Sequence, residues 1–317
     1  MARVLVTGAS GFVGSNIATV LTERGHEVIA GTRAATGLPW PALVLDYSAI
    51  DPADLAGIDA VVHCAIANDF ERLQADRGYA WDSYVELTSR LTRAADTAGA
   101  RMVFISTDWV FDGTGHLVRE DEPVNPVNFY GVLKAVGEQV IKDLAREPAI
   151  CRIGGVKGWH RLADSAKRSQ DVGFGYFTSS LVTQLRRGET FTVWEGDNVN
   201  EVATVALASE IGAGIDRIIR LDATGTFHLV CDEPVNRWDL AVRAAEIFDL
   251  DPGLLRTGPV PPESQFPAPV PRDTSMDRSR TAATLGLSPA GVDDVLRALK
   301  AELETGSVQP ITPPLAD

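Results

Sequence analysis

Cysteine is scarce: Cys64, Cys151 and Cys231 are the only three in 317 residues. They are odd in number, far apart and never in Cys-x-x-Cys spacing, which argues against a disulfide framework or a cysteine zinc site. Small buried apolar residues are what remains for them. The five histidines, His26, His63, His116, His160 and His228, are scattered, so no metal site is expected. No apolar run approaches the ~20 residues of a membrane span, and the first strand-like run begins at Arg3, leaving no room for a signal peptide. A cytoplasmic protein is the expectation. Basic blocks are missing as well. Lys and Arg number 29 against 43 Asp and Glu, a net charge of −14, which argues against nucleic acid or an anionic membrane as partner. Any phosphate-bearing ligand must then be held by local features against a repelling global field.

What is present reads as an ordinary folded chain, longer than one core usually grows, so a large domain plus a smaller lobe is expected. Arg3 to Thr7 is a short apolar run followed at once by Gly8-Ala-Ser-Gly11-Phe-Val-Gly14. An amphipathic helix then carries Ile17, Val20 and Leu21 to Gly25, and Glu27 to Gly31 forms a second apolar run. In such a strand-turn-helix-strand unit the glycines let the backbone turn tightly and approach a pyrophosphate seated on the helix N-terminus. Gly8, Ser10, Gly11, Phe12, Val13 and Gly14 are the candidate cofactor residues of that turn. An acid at the end of the second strand would hold a ribose 2′-hydroxyl; here Gly31-Thr32-Arg33 offers none. Arg33 accommodates a 2′-phosphate instead, so NADP(H) is the expected cofactor. A surface arginine without a ligand is the competing reading.

Ala42 to Leu45, Asp59 to Ala65, Arg101 to Ser106 and Pro148 to Ile153 read as further strands, alternating with helices at Trp81 to Ala98 and from a cap near Asn128. The fold class is therefore α/β: a Rossmann-type doubly wound parallel sheet with a smaller C-terminal α/β substrate lobe. Residues 1–155, with return segments about 190–222, form the expected cofactor domain; 156–189 and 223–317 form the lobe. Expected after residue 155 are helices at 177–187, 205–221, 236–248, 277–285 and 290–303, strands at 190–194 and 225–230, a proline-rich crossing segment at 259–272 and a tail from 306. The polar stretch 157–174 holds Trp159, His160, Arg161, Lys167 and Arg168, which are either diphosphate contacts or a solvated loop.

Chemistry concentrates between Phe104 and Glu138. Tyr130 and Lys134 are one helical turn apart and share a face. A nearby ammonium favours the phenolate and moves a tyrosine from its usual pKa of about 10 toward neutrality, making it a usable general acid or base. Thr107, at the end of a strand, can hydrogen-bond the oxygen that Tyr130 protonates.

These motifs together resemble the extended short-chain dehydrogenase/reductases and, within them, the dTDP-4-dehydrorhamnose reductase-like family. The matching stretches are TGASGFVG at 7–14, STDWVFDG at 106–113, Pro123 to Glu138 read as PxxPxNxYGxxKxxGE, and Pro271-Arg-Asp-Thr-Ser-Met-Asp277. The resemblance implies Thr107, Tyr130 and Lys134 as a catalytic triad, with Lys134 also on the nicotinamide ribose. It places Asp46 and Tyr47 near the adenine, Cys64 and Ala65 beside the cofactor, and Asp108 and Trp109 beside the substrate. It implies a ketoreductase of a nucleotide-linked 4-keto-6-deoxy sugar and a homodimer through the helices at 81–98 and 128–145; nothing requires a metal. Three departures bear on substrate choice: Trp109 where the reductases carry Tyr, a rebuilt segment Asp197 to Ala203, and no Asn in residues 79–95. Two other readings stay open, a reductase or epimerase of another carbonyl compound, and a non-catalytic cofactor-binding subunit, because the family also resembles the regulatory beta subunit of methionine adenosyltransferase.

Overall fold

The computed structural model describes residues 1–33, 37–67, 70–162 and 170–315. In chain order the elements are β1 Arg3–Thr7, α1 Phe12–Glu23, β2 Glu27–Thr32, β3 Ala42–Val44, β4 Ala60–His63, α2 Phe70–Ala75, α3 Arg77–Trp81, α4 Leu87–Ala98, β5 Arg101–Thr107, α5 Phe129–Leu144 and β6 Ala149–Ile153. There follow α6 Phe177–Arg186, β7 Phe191–Glu195, β8 Val202–Thr204, α7 Ala208–Arg220, β9 Gly225–His228, β10 Pro234–Asn236, α8 Arg237–Ile247, β11 Leu255–Pro259, β12 Asp273–Thr274, α9 Ser279–Leu285 and α10 Val292–Thr305. Asp82–Glu86 winds as a π-helical turn joining α3 to α4.

Strands β1 to β6 are short runs of Val, Ile, Leu and Ala, the composition of strands covered on both faces. They form a parallel seven-stranded sheet in the order β3-β2-β1-β4-β5-β6-β9. Register decides where function can sit. Thr7 pairs with Gly31 and His63, His63 with Phe104, and Thr107 with Ile153, so the carboxyl ends of five adjacent strands meet at one rim. The chain order reverses between β1 and β4, the place where open α/β sheets bind ligands. One apolar face packs Val4, Val6, Ile17 and Leu21 with Ile211 and Ile215; the other packs Leu5, Ile29, Leu91, Met102 and Ile141. Helices α1 and α7 touch closely because Gly212 faces Val20, whose Cβ would lie 2.8 Å from any added Cβ.

A three-stranded sheet β10-β8-β12 and a two-stranded pair β11-β7 lie apart from the central sheet, the latter parallel from Leu255↔Phe191 to Pro259↔Glu195. Two placements differ from the sequence expectation. Gly225–His228, expected in the lobe, pairs with β6 and closes the central sheet as its seventh strand. Phe191–Glu195, expected with the cofactor domain, pairs instead with β11. Both are short strands whose partners are set by three-dimensional adjacency, which a hydrophobic pattern does not encode. The expected helix from Val205 begins only at Ala208, since the carbonyls of Val205 and Ala206 accept from Cys231 N and Lys157 N instead. The tail is no loose end either. Thr312 is buried, its N–H donates to Glu210 Oε2 at 2.9 Å, and Arg217 Nη2 donates to the Pro313 carbonyl at 2.9 Å. Among the described residues no helix is long and apolar enough to cross a membrane.

Candidate active site

The glycine turn after β1 is built for close approach. Gly8 has φ +69°, and a Cβ there would stand 2.9 Å from Ala65 N; a Cβ on Gly14 would stand 2.2 Å from Gly8 O. Gly11, the cap of α1, contributes no side-chain hydrogen bond, so the first-turn N–H groups of Phe12, Val13 and Gly14 point out with the positive end of the helix dipole. Ser10 is exposed on the same turn. This cradle fits a dinucleotide diphosphate.

His63 is a tie between strands. Its Nδ1 lies 2.9 Å from Thr7 Oγ1, and its Nε2 lies 3.1 Å from Thr88 Oγ1. Thr88 donates its own proton to the Tyr84 carbonyl, so Nε2 carries the imidazole hydrogen and Nδ1 accepts from Thr7. Burial, assisted by the Lys134 charge, drives the His63 pKa down to about 3, which keeps the ring neutral. The same Thr7 hydroxyl accepts from Ala65 N at 3.2 Å, so the chain at Cys64 and Ala65 is drawn against Gly8. Cys64 is a free thiol that burial pushes up to about 12.

Arg33 is exposed at the end of β2, and β2 pairs with β3 up to Thr32↔Val44, which brings Asp46 and Tyr47 to the same corner. The Tyr47 hydroxyl donates to the Gly31 carbonyl at 3.1 Å. Burial pushes the Tyr47 phenol up to about 12, against the opposing pull of Arg33. Asp46 is held below the usual carboxylate range by hydrogen bonds from Ser48, whose Oγ and N lie 2.6 and 2.9 Å away.

The expected triad converges at the rim. Asn128 caps α5 by accepting from Gly131 N at 2.9 Å, and its amide donates to the Pro269 carbonyl at 3.0 Å. Gly131 is required because a Cβ would stand 2.2 Å from Trp109 O, so the start of α5 is pressed against the turn Asp108–Val110. That contact brings the Tyr130 hydroxyl into a hydrogen bond with Thr107. The expected electrostatics are not found. Burial pushes Tyr130 up to about 12, the Asp108 carboxylate adds to the rise, and only Thr107 opposes it. Lys134 is turned away, donating from Nζ to the Ile105 carbonyl at 2.8 Å beneath the Phe104 and Tyr84 rings, and burial lowers its own pKa to about 8. Sharing a helix face put the two residues side by side but did not put the ammonium on the phenol.

Trp109 stands edge-on to Tyr130, ring centroids 6.1 Å apart at 76°, and is backed by Phe266 at 5.6 Å. Asp108 lies behind Thr107 in the protein. Thr107 Oγ1 donates to Asp108 Oδ1 at 3.0 Å and accepts from Trp109 N at 3.3 Å, while Thr274 bonds Asp108 from the other side. Tyr84 fills the ground above Tyr130, ring to ring at 6.1 Å and 88°, on a helical stretch that carries no Asn.

Three residues of this site had not been singled out as site residues. Asn200 is buried, and its amide nitrogen donates to the carbonyls of Val202, Pro271 and Arg272 at 3.1, 3.0 and 3.0 Å. Its Oδ1 accepts from Thr274 at 3.2 Å. Asn200 lies in the rebuilt segment 197–203 and Thr274 in the motif 271–277, so the signal was their position in unusual stretches. Arg237 was hidden in a helix that read as ordinary; it is buried and donates to the carbonyls of Val172, Asn200 and Asp171. Next to it Lys157 donates to the Phe174 carbonyl at 2.7 Å, and burial lowers its pKa to about 7. Arg161 is committed elsewhere, to Asn16 Oδ1 and the Gly306 carbonyl, both at 3.1 Å, over the Trp159 ring; His160 Nδ1 accepts from Leu162 N at 3.1 Å. Lys167 and Arg168 lie outside the described residues.

Comparison with known proteins gives a consistent set of relatives. A family profile described as the RmlD substrate binding domain matches residues 2–304. A probable low-salt glycan biosynthesis reductase, Agl14 of Haloferax volcanii, is 26% identical over 93% of this chain and 96% of that protein. Methionine adenosyltransferase 2 subunit beta of Bos taurus is 29% identical over 90% of this chain and 83% of that protein. Among solved structures, a dTDP-4-dehydrorhamnose reductase of Bacillus anthracis in complex with NADP superposes with a TM-score of 0.75, at 19% identity, over 95% of this chain and 99% of that one.

Proposed function

The chain belongs to the RmlD substrate-binding-domain family, and from that premise we propose that it is an NADPH-dependent reductase of a nucleotide-linked 4-keto-6-deoxy sugar. The observation that carries the reading is the Tyr130–Thr107 hydrogen bond at the strand-end rim, on the same edge of the sheet as the uncapped start of α1. The glycine turn and the first-turn N–H groups of α1 hold the cofactor diphosphate, and Arg33 takes the 2′-phosphate. When bound, NADPH supplies the hydride. Tyr130, kept protonated by burial, gives its proton to the carbonyl oxygen as that oxygen gains charge, and Thr107 orients it. Lys134 holds the nicotinamide ribose. Trp109 forms a wall beside the sugar, and its indole in place of a phenol removes a hydroxyl and adds volume there.

The test is NADPH oxidation followed by absorbance with dTDP-4-keto-6-deoxyglucose, alone and with a 3,5-epimerase. Turnover that falls by about 100-fold or more in Tyr130→Phe is the expected result. Tight NADPH binding without turnover moves the reading to a second one, a non-catalytic cofactor-binding subunit, which the 29% identity to a methionine adenosyltransferase beta subunit favours. We also propose a homodimer through α4 and α5; a monomer mass by light scattering at micromolar concentration refutes it.

A further inference from the structure

Residues 266–271 alternate with proline: Phe266 precedes Pro267, Ala268 precedes Pro269 and Val270 precedes Pro271. Each proline lacks an N–H and pushes the residue before it into extended backbone, which makes no hydrogen bonds of its own. The carbonyls left over are taken by three asparagines. Asn198 Nδ2 donates to the Phe266 and Ala268 carbonyls at 3.3 and 3.1 Å, and its Oδ1 accepts from Val270 N at 2.8 Å. Asn128, the cap of α5, donates to the Pro269 carbonyl at 3.0 Å, and Asn200 donates to those of Pro271 and Arg272, both at 3.0 Å. The result is a stiff strap fastened to the start of α5 and to the segment 197–203. It carries Phe266 against the Trp109 indole, ring centroids 5.6 Å apart at 84°. The indole has a second support. A Cβ on Gly173 would stand 3.2 Å from Trp109 Cζ2, so the bare backbone of Gly173 lies close against the ring. Arg237 Nη1 donates to the Gly173 carbonyl and, at 3.2 and 3.3 Å, to the carbonyls of Val172 and Asn200. Asn200 N in turn donates to the Val172 carbonyl at 2.9 Å. Residues 198–200 therefore join both supports of the indole.

We propose that residues 198–200 set substrate selectivity without touching the substrate: by fastening the strap and the loop 172–173 they fix the Trp109 indole beside Tyr130, and the fixed indole selects a sugar with an apolar substituent next to the reacting carbonyl. Asn198 and Phe266 are positioning residues in this scheme. It rests on the reductase reading above, in which Trp109 walls the sugar. The indole stands 6.1 Å from the Tyr130 ring, so a substrate whose carbonyl oxygen meets the Tyr130 hydroxyl presents a neighbouring ring carbon to it. Trp109 is half-buried, which leaves part of the ring open to a ligand. Val172, Trp194 and Val270 are buried in one apolar cluster with Trp109 and Phe266 packed against it. Against such a wall a methyl group gains contact, a hydroxymethyl group gives up hydration, and a carboxylate gives up far more. A loose indole would yield to any of them; one braced by two supports over a packed cluster does not move aside. The site therefore takes a 6-deoxy sugar nucleotide in preference to its 6-hydroxy or 6-carboxy counterpart. The rebuilt segment holds the wall, and the wall meets the sugar.

Initial rates of NADPH oxidation, with the 4-keto-6-deoxy sugar nucleotide that is turned over and with its 6-hydroxy counterpart, give the selectivity as a ratio of kcat/KM. The wild type should favour the deoxy sugar by about 10–100-fold. Asn198 is exposed, so Asn198→Ala should fold with a thermal midpoint near that of the wild type. It should keep the wild-type KM for NADPH and lower the ratio by about tenfold. Phe266→Ala should do the same, whereas Phe266→Tyr keeps the ring and should keep the ratio. A role in folding alone would move the midpoint and leave the ratio unchanged. An Asn198→Ala enzyme with the wild-type ratio, or a wild type without the preference, overturns the proposal and leaves the reductase reading standing. The strap also has a readout without substrate. In protein carrying isotope-labelled tryptophan, the indole N–H resonance of Trp109 is identified by its loss in Trp109→Phe. It should be sharp in the wild type and broaden or split in Asn198→Ala; an unchanged resonance overturns the hold of the strap on the ring. A wild type inert toward every sugar nucleotide sinks the reductase reading and the selectivity with it, and the resonance still decides whether the strap fixes the indole.

Discussion

Replacing Arg152 by methionine leaves the Glu138 carboxylate charged, buried and without its counterion. In the native protein Arg152 Nε and Nη2 donate to the two carboxylate oxygens at 2.9 and 2.8 Å, and Ser106 Oγ donates to Oε1 at 2.6 Å. Both side chains are 2% exposed. Removing one partner of such a pair costs about 3–5 kcal/mol, more than the pair contributes against an apolar replacement. At about 2 °C per kcal/mol for a chain of this size, Arg152→Met should lower the thermal midpoint by about 6–10 °C. Arg152→Met combined with Glu138→Leu removes the orphaned charge. Its remaining losses are the Arg152 contacts to the Glu120 carbonyl at 3.3 Å and to His228 Nε2 at 3.4 Å, and the Ser106 bond. The double variant should therefore recover about 2 kcal/mol of the single-variant loss, read by calorimetry or urea melts as a double-mutant cycle. A double variant as unstable as the two single losses added together refutes the reasoning. So does an Arg152→Met protein within about 1 kcal/mol of wild type, because it would mean that water reaches Glu138.

Arg33→Ala should raise the KM for NADPH by about tenfold or more while leaving the KM for NADH unchanged, since only the 2′-phosphate contact is lost; equal effects on both cofactors would remove Arg33 from the clamp. Stability should decline in mild acid. Burial lowers the pKa of His63 to about 3 and of His228 to about 4, from 6.5 in the unfolded chain. Their contribution is complete above about pH 6.5 and is lost as pH falls toward those values, about 2 kcal/mol for each histidine at pH 5. Urea melts at pH 7.5 and 5, compared between wild type and His228→Gln, check this; the same pH dependence in both proteins would contradict it.

Local patterns carried much of the fold and part of the site. The parallel strands were visible as apolar runs, the tight turn after β1 as glycines in a fixed spacing between a strand and a helix, and the cap of α5 as an Asn before Phe129. These are properties of neighbouring residues, set by backbone sterics and by side-chain period, so they survive without knowledge of the tertiary structure. The adjacency of Tyr130 and Lys134 followed from helical spacing in the same way.

Direction and company were decided only in three dimensions. Helical spacing could not say that the Lys134 ammonium would bond the Ile105 carbonyl, nor that burial would push Tyr130 up with only Thr107 opposing it. The pairing of β9 with β6 and of β7 with β11 depends on which edges meet after the chain has folded back. Asn200 and Thr274 are 74 positions apart and mean little separately. Together they tie the rebuilt segment to the motif 271–277, because such a pair is a property of the assembled site and of no single stretch of sequence.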